Sequence, residues 1–322
     1  MIHRSRLRPL PALAAAAGLM FGVAACGSSD NSSTSSSSAS TSTPAAASLP
    51  GKGKPAVTIG DKDFTEQFIL GELYAQALRA KGYKVTLKAN VGSSEIIDKA
   101  LTSGKIDLYP EYTGTIVSTI AGVKDQPKSA ADTYAAAKAF EAKRGFTTLD
   151  ATPFFDADGL AVRPDYATKN GLKTVADLKK LKSFKYGAPP ENRTRFQGLK
   201  GMKSEYGLNN VDFKPLAIGL QYKALESKKV DVAAIFTTDG QLQGGAFTVL
   251  TDPKGIFGYQ NVTPVVNDKV LAAEGQAFAD TLNAVSKLLT NEAVQKMNAA
   301  VDLDKQKPAD VASAFLKANG LG

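Results

Sequence analysis

Residues 94–115 read SEIIDKALTSGKIDLYPEYTGT, and this stretch is the unit from which the fold is built. A short helical pattern begins at Ser94 and stops at Gly104, and an apolar strand pattern follows. The strand pattern runs into a polar turn that carries Tyr112, Thr113 and Thr115. The stretch therefore predicts a helix, a strand and a turn that presents an aromatic ring beside hydroxyl groups.

Nearly the same unit recurs at residues 223–239, which read KALESKKVDVAAIFTTD. Aligned without gaps, the two copies match Lys99 with Lys223, Leu101 with Leu225, Asp107 with Asp231, Tyr112 with Phe236 and Thr113 with Thr237. In open α/β sheets, ligands bind beyond the carboxyl ends of the strands. Two copies therefore predict two lobes with a ligand cleft between them, each lobe lining the cleft with an aromatic ring and a threonine.

The length and composition are those of a two-lobed globular protein. The chain has 322 residues, 43% of them hydrophobic and 22% charged, which is more than one typical core requires. The formal net charge is +8, but the lysines are scattered along helical patterns and part of the charge lies near the N-terminus. No nucleic-acid-binding motif accompanies them, so we expect no nucleic-acid partner.

Missing residue types exclude several kinds of chemistry. His3 is the only histidine and Cys26 the only cysteine. Both lie near the N-terminus, so the rest of the chain cannot form a Cys/His metal site, a Ser-His-Asp triad or a cysteine nucleophile. No GxxxxGK[ST] or GxGxxG motif is present, and we expect no nucleotide or other cofactor. An enzyme that uses only carboxylates, from Asp156, Asp158 or Glu111, remains an alternative.

The first 54 residues predict export and membrane attachment. Residues 1–25 have arginines followed by an apolar run, which is typical of a signal peptide. The run ends in Val23-Ala24-Ala25-Cys26-Gly27, a sequence similar to a bacterial lipobox with Cys26 as the lipidated first mature residue. Residues 26–54 are rich in Ser, Thr and Ala and predict a flexible tether.

The remaining chain alternates strand and helix patterns, which predicts an α/β protein with parallel-type sheets and flanking helices. We assign residues 55–155 to the first part of lobe 1, 156–255 to lobe 2 and 256–322 to the return into lobe 1. The first strand is expected at residues 56–60, followed by a helix with an Asp63–Glu66 capping box. Thr174 and Asp177 predict a second cap of this kind.

Several side chains are candidates for a ligand site. The aromatic candidates are Tyr112, Phe236 and Tyr259, because aromatic faces attract quaternary ammonium groups; each could equally be a core or rim ring. Asp156 or Asp158 could balance a ligand cation or cap a helix. The other candidates are Arg195, which could bind a ligand carboxylate or form an inter-lobe salt bridge, and Lys62, Thr65 and Gln67, which lie at the first strand-to-helix turn.

These motifs resemble those of the substrate-binding lipoproteins of osmoprotectant ABC importers, the OpuAC/ProX-like family, which bind glycine betaine, choline, carnitine and proline betaine. The resemblance covers residues 57–315. It is carried by GDKDFTEQ at 60–67, DLYPEYTGT at 107–115, GAPPE at 187–191, Thr194-Arg195 and FTTDG at 236–240.

The resemblance implies a two-lobed periplasmic-binding-protein fold of type II and a cage of tyrosines around a trimethylammonium group. Tyr112 and Tyr259 match cage tyrosines, Thr115 and Asp156 match polar contacts, and Lys62 and Arg195 match carboxylate-side groups. Phe236 and Asp158 stand where tyrosines are usual. The Asp158 departure leaves open a receptor for a different solute, such as a polar aromatic compound or an amino-acid derivative.

The resemblance also implies partners and a location. The expected ligand is a small osmolyte, and the expected partners are ABC permease subunits driven by a separate ATPase. The protein is expected to be a monomer, anchored by lipid to the cell membrane on its extracytoplasmic side.

Overall fold

The computed structural model describes residues 48–322, and within them ten strands form two five-stranded sheets. The strands are β1 (Ala56–Gly60), β2 (Lys84–Lys88), β3 (Leu108–Tyr112), β4 (Phe146–Thr148), β5 (Asp158–Val162), β6 (Phe184–Ala188), β7 (Val211–Pro215), β8 (Val232–Phe236), β9 (Thr248–Leu250) and β10 (Val262–Asn267). The predicted signal peptide, Cys26 and most of the predicted tether lie outside the described residues.

The helices flank both sheets. They are α1 (Thr65–Ala80), α2 (Ser94–Thr102), α3 (Thr113–Thr115), α4 (Ala130–Ala142), α5 (Pro164–Asn170), α6 (Gly201–Ser204), α7 (Gln221–Glu226), α8 (Asp268–Glu274), α9 (Gln276–Leu288), α10 (Asn291–Asp302) and α11 (Pro308–Ala318). Shorter helical turns of 3-10 or π type occupy Ile116–Ile120, Val175–Lys180, Pro190–Arg193, Phe196–Lys200 and Gly240–Gly245. Within residues 48–322, no helix is both long and apolar enough to cross a lipid bilayer.

The two sheets have the same internal plan. The first has the strand order β2-β1-β3-β10-β4 and the second has β7-β6-β8-β5-β9. In each sheet the first three strands are parallel, as the alternating pattern predicts. β10 and β5 enter their sheets antiparallel, so the sheets are mixed rather than wholly parallel. The reason is that these strands arrive from the opposite lobe instead of through a βαβ crossover.

Two segments carry the chain between the sheets. The first runs from the end of β4 to the start of β5, and the second from the end of β9 to the start of β10. They pair with each other, because Phe155 forms an isolated bridge with Asn261 and the Asp156 amide donates to the Gln260 carbonyl at 3.1 Å. Both segments therefore join each sheet at the same end of its strands.

The sequence repeat is a structural repeat. The Asp107 carboxylate accepts a hydrogen bond from the Thr58 amide at 2.7 Å, which ties the start of β3 to β1. The Asp231 carboxylate accepts from the Lys185 amide at 2.9 Å, which ties the start of β8 to β6 in the same way. Each repeated aspartate thus fixes the register of a central strand, and through it the position of the aromatic residue at that strand's far end.

The predicted helix caps have different outcomes. Thr174 and Asp177 form the expected capping box. The predicted Asp63–Glu66 box is wrong, because α1 begins after Phe64, which makes no side-chain cap. Glu66 is buried instead. α1 also buries Ile69, Leu73 and Leu78 in the core of the first lobe; each such side chain contributes about 1.5–3 kcal/mol.

Candidate functional site

Three aromatic rings stack in the cleft between the sheets. Tyr112 ends β3 and Phe236 ends β8, the equivalent strands of the two repeats. Phe64, in the turn before α1, lies between them: its ring centroid is 6.2 Å from that of Tyr112 and 5.2 Å from that of Phe236, with interplanar angles of 22° and 17°. The two repeated aromatics are therefore joined through a third ring that belongs to neither repeat.

A cation of the protein itself already lies beside this stack. The Lys62 ammonium is 4.3 Å from the Tyr112 ring centroid and 5.5 Å from that of Phe64. It donates to Glu111 Oε1 at 2.6 Å and to Ser94 Oγ at 3.1 Å, and only 4% of the residue is exposed. An ammonium has three donors, so one remains for another acceptor. The arrangement shows that the Tyr112 face can hold an ammonium group.

The Tyr112 hydroxyl is fixed by a buried carboxylate. It donates to Glu66 Oε1 at 2.7 Å, while Glu66 Oε2 accepts from Thr238 Oγ1 and from Asn298 Nδ2. Burial raises the pKa of Glu66, although these hydrogen bonds and Lys62 act to lower it. Because Thr238 follows β8 and Glu66 belongs to α1, this carboxylate also links the two lobes.

Two further carboxylates stand at the entry to β5. Asp158 lies directly opposite Phe236 in the β5–β8 register. Burial raises the pKa of Asp158 from 3.8 to about 6, against the lowering effect of Arg195 and Lys62. Asp156 is buried and accepts from the Thr238 amide at 3.1 Å; burial, then the nearby Glu66 and Asp239, raise its pKa well above the usual range.

Arg195 bridges the cleft through a bidentate ion pair. Its Nε donates to Glu95 Oε1 at 3.1 Å and its Nη2 donates to Glu95 Oε2 at 2.7 Å. Burial raises the pKa of Glu95, but the hydrogen bonds and charge of Arg195 outweigh this and lower it to about 2. The sequence left open whether Arg195 binds a ligand or forms an inter-lobe salt bridge, and the structure places it in the bridge.

Seven of the twelve predicted ligand residues line one cavity of about 40 Å³. We call this cavity, with the Phe64 and Gln260 side chains that also line it, the aromatic compartment. The seven predicted residues are Lys62, Tyr112, Thr115, Asp156, Asp158, Arg195 and Phe236. The structure thus brings together residues from both lobes that are up to 174 positions apart in the chain, from Lys62 to Phe236.

A second cavity, of about 170 Å³, adjoins the first and shares five lining residues with it: Asp63, Phe64, Asp156, Ile218 and Phe236. We call it the acceptor compartment. Its other lining residues are Thr65, Glu66, Phe68, Gly219, Gln221, Tyr222, Thr238, Asp239, Gln241, Asn298 and Asp302. Among the predicted residues, Thr65 lines only this compartment, where its hydroxyl donates to Asp302 at 2.6 Å.

The structure places four predicted ligand residues outside the lining of both compartments. Gln67 is buried behind the first turn, where its Oε1 accepts from the Lys62 amide at 3.4 Å. The hydroxyl of Thr113 donates to the Tyr259 carbonyl, and that of Thr237 accepts from the Ala157 amide. The Tyr259 side chain is 41% exposed and its hydroxyl donates to the Lys128 carbonyl at 2.7 Å.

Nine residues that line the aromatic compartment are not among the predicted ligand residues: Asp63, Phe64, Ser93, Ser94, Pro189, Glu191, Asn192, Ile218 and Gln260. Phe64 lies within the motif at 60–67, but it has no counterpart in the repeat that points to Tyr112 and Phe236. Gln260 follows Tyr259, and its Oε1 accepts from the Thr115 amide at 3.0 Å. For Phe64 the signal in the sequence is an aromatic residue at a strand-to-helix turn. For Gln260 it is an amide side chain next to the predicted return crossing.

Comparison with known proteins assigns the chain to a family. Residues 55–318 match the family model of the substrate binding domain of the ABC-type glycine betaine transport system, named OpuAC, and the chain belongs to this family. Members of the family are substrate-binding proteins of ABC importers rather than enzymes.

Individual relatives agree with this assignment. The chain is 32% identical over 275 residues to a glycine-betaine-binding protein of Pseudomonas aeruginosa, which covers 82% of this chain and 88% of the relative. It is 29% identical over 286 residues to the carnitine transport binding protein OpuCC of Listeria monocytogenes, covering 85% and 91%. The crystal structure of a glycine betaine/carnitine/choline ABC transporter protein superposes with a TM-score of 0.67 at 28% identity, covering 82% of this chain and 99% of the other.

Proposed function

We propose that this protein captures a small quaternary-ammonium osmoprotectant, of the glycine betaine or choline type, in the aromatic compartment. It then delivers the solute to membrane permease subunits that are driven by a separate ATPase. The observation that carries the proposal is the stack of Tyr112, Phe64 and Phe236, with Asp158 opposite Phe236 and an ammonium already seated beside Tyr112.

The chemistry of the compartment fits both ends of such a ligand. A quaternary ammonium cannot donate hydrogen bonds and is held by aromatic faces and negative charge, each cation–π contact being worth about 0.5–2 kcal/mol. Phe236 and Asp158 offer both. The donor of Lys62 that Glu111 and Ser94 leave unused is suited to the carboxylate of a betaine.

We further propose that the protein binds this ligand without transforming it. The carboxylates that an enzyme would need have other roles: Glu111 accepts from Lys62, and Asp156 accepts from the Thr238 amide and hydroxyl groups of the cleft. Ligand recovered from the protein should therefore be chemically unchanged.

Binding is proposed to close the two lobes about the crossing segments. The lobe boundaries assigned from sequence, 55–155 with 256–322 against 156–255, are supported by the sheet membership of the strands. The hinges are then near residues 152–158 and 250–262, where the two crossings pair. The Arg195–Glu95 pair and the Glu66–Thr238 hydrogen bond are contacts that closure would form.

The location proposed from the sequence completes this function. Lipidation of Cys26 would hold a monomeric receptor on the extracytoplasmic side of the cell membrane, and the tether would allow it to reach the permease. Cys26 lies outside the described residues, so this part of the proposal rests on the lipobox-like sequence and on the family. No nucleic-acid partner is proposed.

Isothermal titration calorimetry with glycine betaine, choline, carnitine and proline betaine tests the proposal. We expect one-to-one saturable binding of at least one of them and at least tenfold weaker binding by Tyr112→Ala. Tyr259→Ala is the matched control, because Tyr259 does not line either compartment, and the affinity of this variant should equal that of the wild type. The absence of binding to all four ligands, or wild-type affinity in Tyr112→Ala, would contradict the proposal.

A further inference from the structure

The acceptor compartment has a lining that the binding of a quaternary ammonium does not explain. It adjoins the aromatic compartment behind the Phe64–Phe236 pair, and its volume is about four times larger, 170 Å³ against 40 Å³. Five carboxylate side chains line it, and the described residues place no lysine, arginine or histidine in its wall. The polar part of the cavity wall is therefore rich in carboxyl and amide oxygens and, within residues 48–322, has no cationic side chain.

Buried acceptors without partners provide a second and independent observation. Asn298 is 3% exposed and lines the cavity, and its Oδ1 has no hydrogen-bond partner within residues 48–322. The orientation of this amide is fixed, because its Nδ2 donates to both Glu66 Oε2 and the Thr238 carbonyl. The free oxygen is therefore the Asn298 carbonyl and not a misassigned nitrogen.

Gln221 repeats this feature on the opposite lobe. It is 5% exposed, lines the same cavity, and its Oε1 likewise has no partner within the described part of the chain. A buried acceptor without a donor costs free energy, so most such groups in folded proteins have a hydrogen-bond partner, which can be a bound ligand. Asn298 and Gln221 line one cavity from two lobes, and an acceptor without a partner on each side chain favours a ligand that donates hydrogen bonds.

The charge and shape of the cavity narrow the class of ligand. Asp239 accepts from the Tyr222 hydroxyl and the Phe236 amide, and burial raises its pKa to about 7. The aromatic side chains of Phe68 and Tyr222 form part of the wall, which suits an organic cation. No group of three or more His, Cys, Asp or Glu side chains in residues 48–322 is arranged to hold a metal ion.

We propose that the acceptor compartment is a second ligand site, which binds an organic cation bearing N–H donors, such as a protonated primary amine, through Asn298, Gln221 and Asp239. This goes beyond the proposed function, because a trimethylammonium group has no N–H to offer these oxygens. The amine is either a separate small molecule or the far end of one ligand whose other end lies in the aromatic compartment. The recognition chemistry is the same in both cases.

Calorimetry of the whole mature chain with ethylammonium chloride tests the site, and tetramethylammonium chloride serves as the cation without N–H donors. We expect saturable ethylammonium binding that Gln221→Leu weakens at least fivefold and Asp239→Asn at least tenfold. Gln243→Leu, at an exposed glutamine outside both compartments, should bind like the wild type. Because Gln221→Leu removes an unpartnered acceptor, its Tm should equal or exceed that of the wild type, so lost binding would not reflect misfolding.

Two further titrations identify the source of the amine. Equal ethylammonium affinity in protein saturated with glycine betaine would show a separate amine site. Tighter binding of aminoethyl-trimethylammonium than of choline, with the gain lost in Gln221→Leu, would show one ligand spanning both compartments. Either result supports the proposal.

The proposal is overturned by the absence of saturable ethylammonium binding, as expected if the cavity holds only water. It is equally overturned if Gln221→Leu leaves the ethylammonium affinity unchanged, or if tetramethylammonium competes fully with ethylammonium. These outcomes are independent of the osmoprotectant titrations: loss of glycine betaine and choline binding alone would contradict the proposed function and leave the amine site standing.

Discussion

Arg195 and Glu95 form a bidentate ion pair that joins the loop after β6 to α2 and so links the two lobes across the mouth of the cleft. The guanidinium that the family resemblance assigns to the ligand carboxylate is thus already paired with a carboxylate of the protein. We therefore expect a ligand carboxylate that enters the cleft to compete with Glu95 for Arg195, so that ligand binding and lobe closure would depend on the same side chain.

Glu95→Gln should therefore change selectivity. Without the Glu95 charge, the Arg195 guanidinium is free for a ligand carboxylate, whereas choline has none to offer. We expect the ratio of glycine betaine affinity to choline affinity to rise severalfold in calorimetry. The loss of the pair itself should cost little stability, roughly 0.2–1 kcal/mol, since Glu95 is partly exposed.

Glu292→Gln is the matched control for this experiment. Glu292 forms an exposed pair with Lys296 at 2.6 Å, and neither residue lines either compartment. Its affinity ratio should stay at the wild-type value. An unchanged ratio in Glu95→Gln would mean that Arg195 does not reach the ligand.

Phe64→Leu should weaken choline binding by about tenfold, a loss of about 1.4 kcal/mol. The leucine keeps apolar volume but removes the ring that stacks between Tyr112 and Phe236, and with it a cation–π face. Calorimetry measures the loss. Phe213→Leu replaces a ring that packs on Tyr186 in the second lobe and should leave choline affinity intact; equal effects of the two substitutions would mean that Phe64 acts only through stability.

The affinity for choline should fall as the pH drops below about 6. A bound cation favours the ionised form of Asp158, whose pKa in the free protein is about 6, so protonation competes with binding. The loss can reach about tenfold per pH unit for one linked proton. Asp158→Asn should bind more weakly at pH 7.5 and show a flatter profile; an identical pH profile in the variant would assign the titration to another group.

The Asp158 carboxyl also makes the free energy of unfolding depend on pH. Its pKa is raised above the ordinary value of 3.8, so its stabilising contribution is complete below that value and is lost as the pH rises through about 6. At neutral pH the ionised group is therefore unfavourable in the ligand-free protein. Asp158→Asn should raise the Tm at pH 7.5 and have little effect at pH 4, which thermal unfolding at the two pH values measures.

Cys26→Ser should release the protein from the membrane fraction. The expectation follows from the lipobox-like sequence, because serine cannot form the thioether through which a lipid is attached. Fractionation with immunodetection measures the distribution, and Ser28→Ala serves as a control that keeps the thiol. Retention of Cys26→Ser in the membrane fraction would show that another element anchors the protein.

Much of the architecture followed from local pattern. The repeat at 94–115 and 223–239 predicted two equivalent strands with an aromatic residue at the end of each, and Tyr112 and Phe236 occupy those places. The sequence pattern placed β1 at residues 56–60, which are its bounds in the structure, and placed a helix directly after it, where α1 lies. These features depend on residues that are close together in the chain, so they can be predicted from one sequence.

The features that local pattern did not indicate depend on contacts between distant segments. Asp63 and Glu66 have the spacing of a capping box. Glu66 does not form that cap, because its buried carboxylate accepts hydrogen bonds from Tyr112, Thr238 and Asn298. Tyr259 and Gln260 are neighbours in sequence, and the path of the returning crossing decides that the glutamine, not the tyrosine, lines the aromatic compartment.

The sequence by itself determined the fold class, the repeated unit, the family and the chemical character of the cleft, because these reside in residue types and short spacings. Tertiary structure alone decided which side chains meet. It placed Phe64 between the two repeat aromatics, seated the Lys62 ammonium beside Tyr112, paired Arg195 with Glu95 and left the oxygens of Asn298 and Gln221 without donors in one cavity. The physical reason is that electrostatics and burial act through distances in space, and these distances are set only when the two lobes come together.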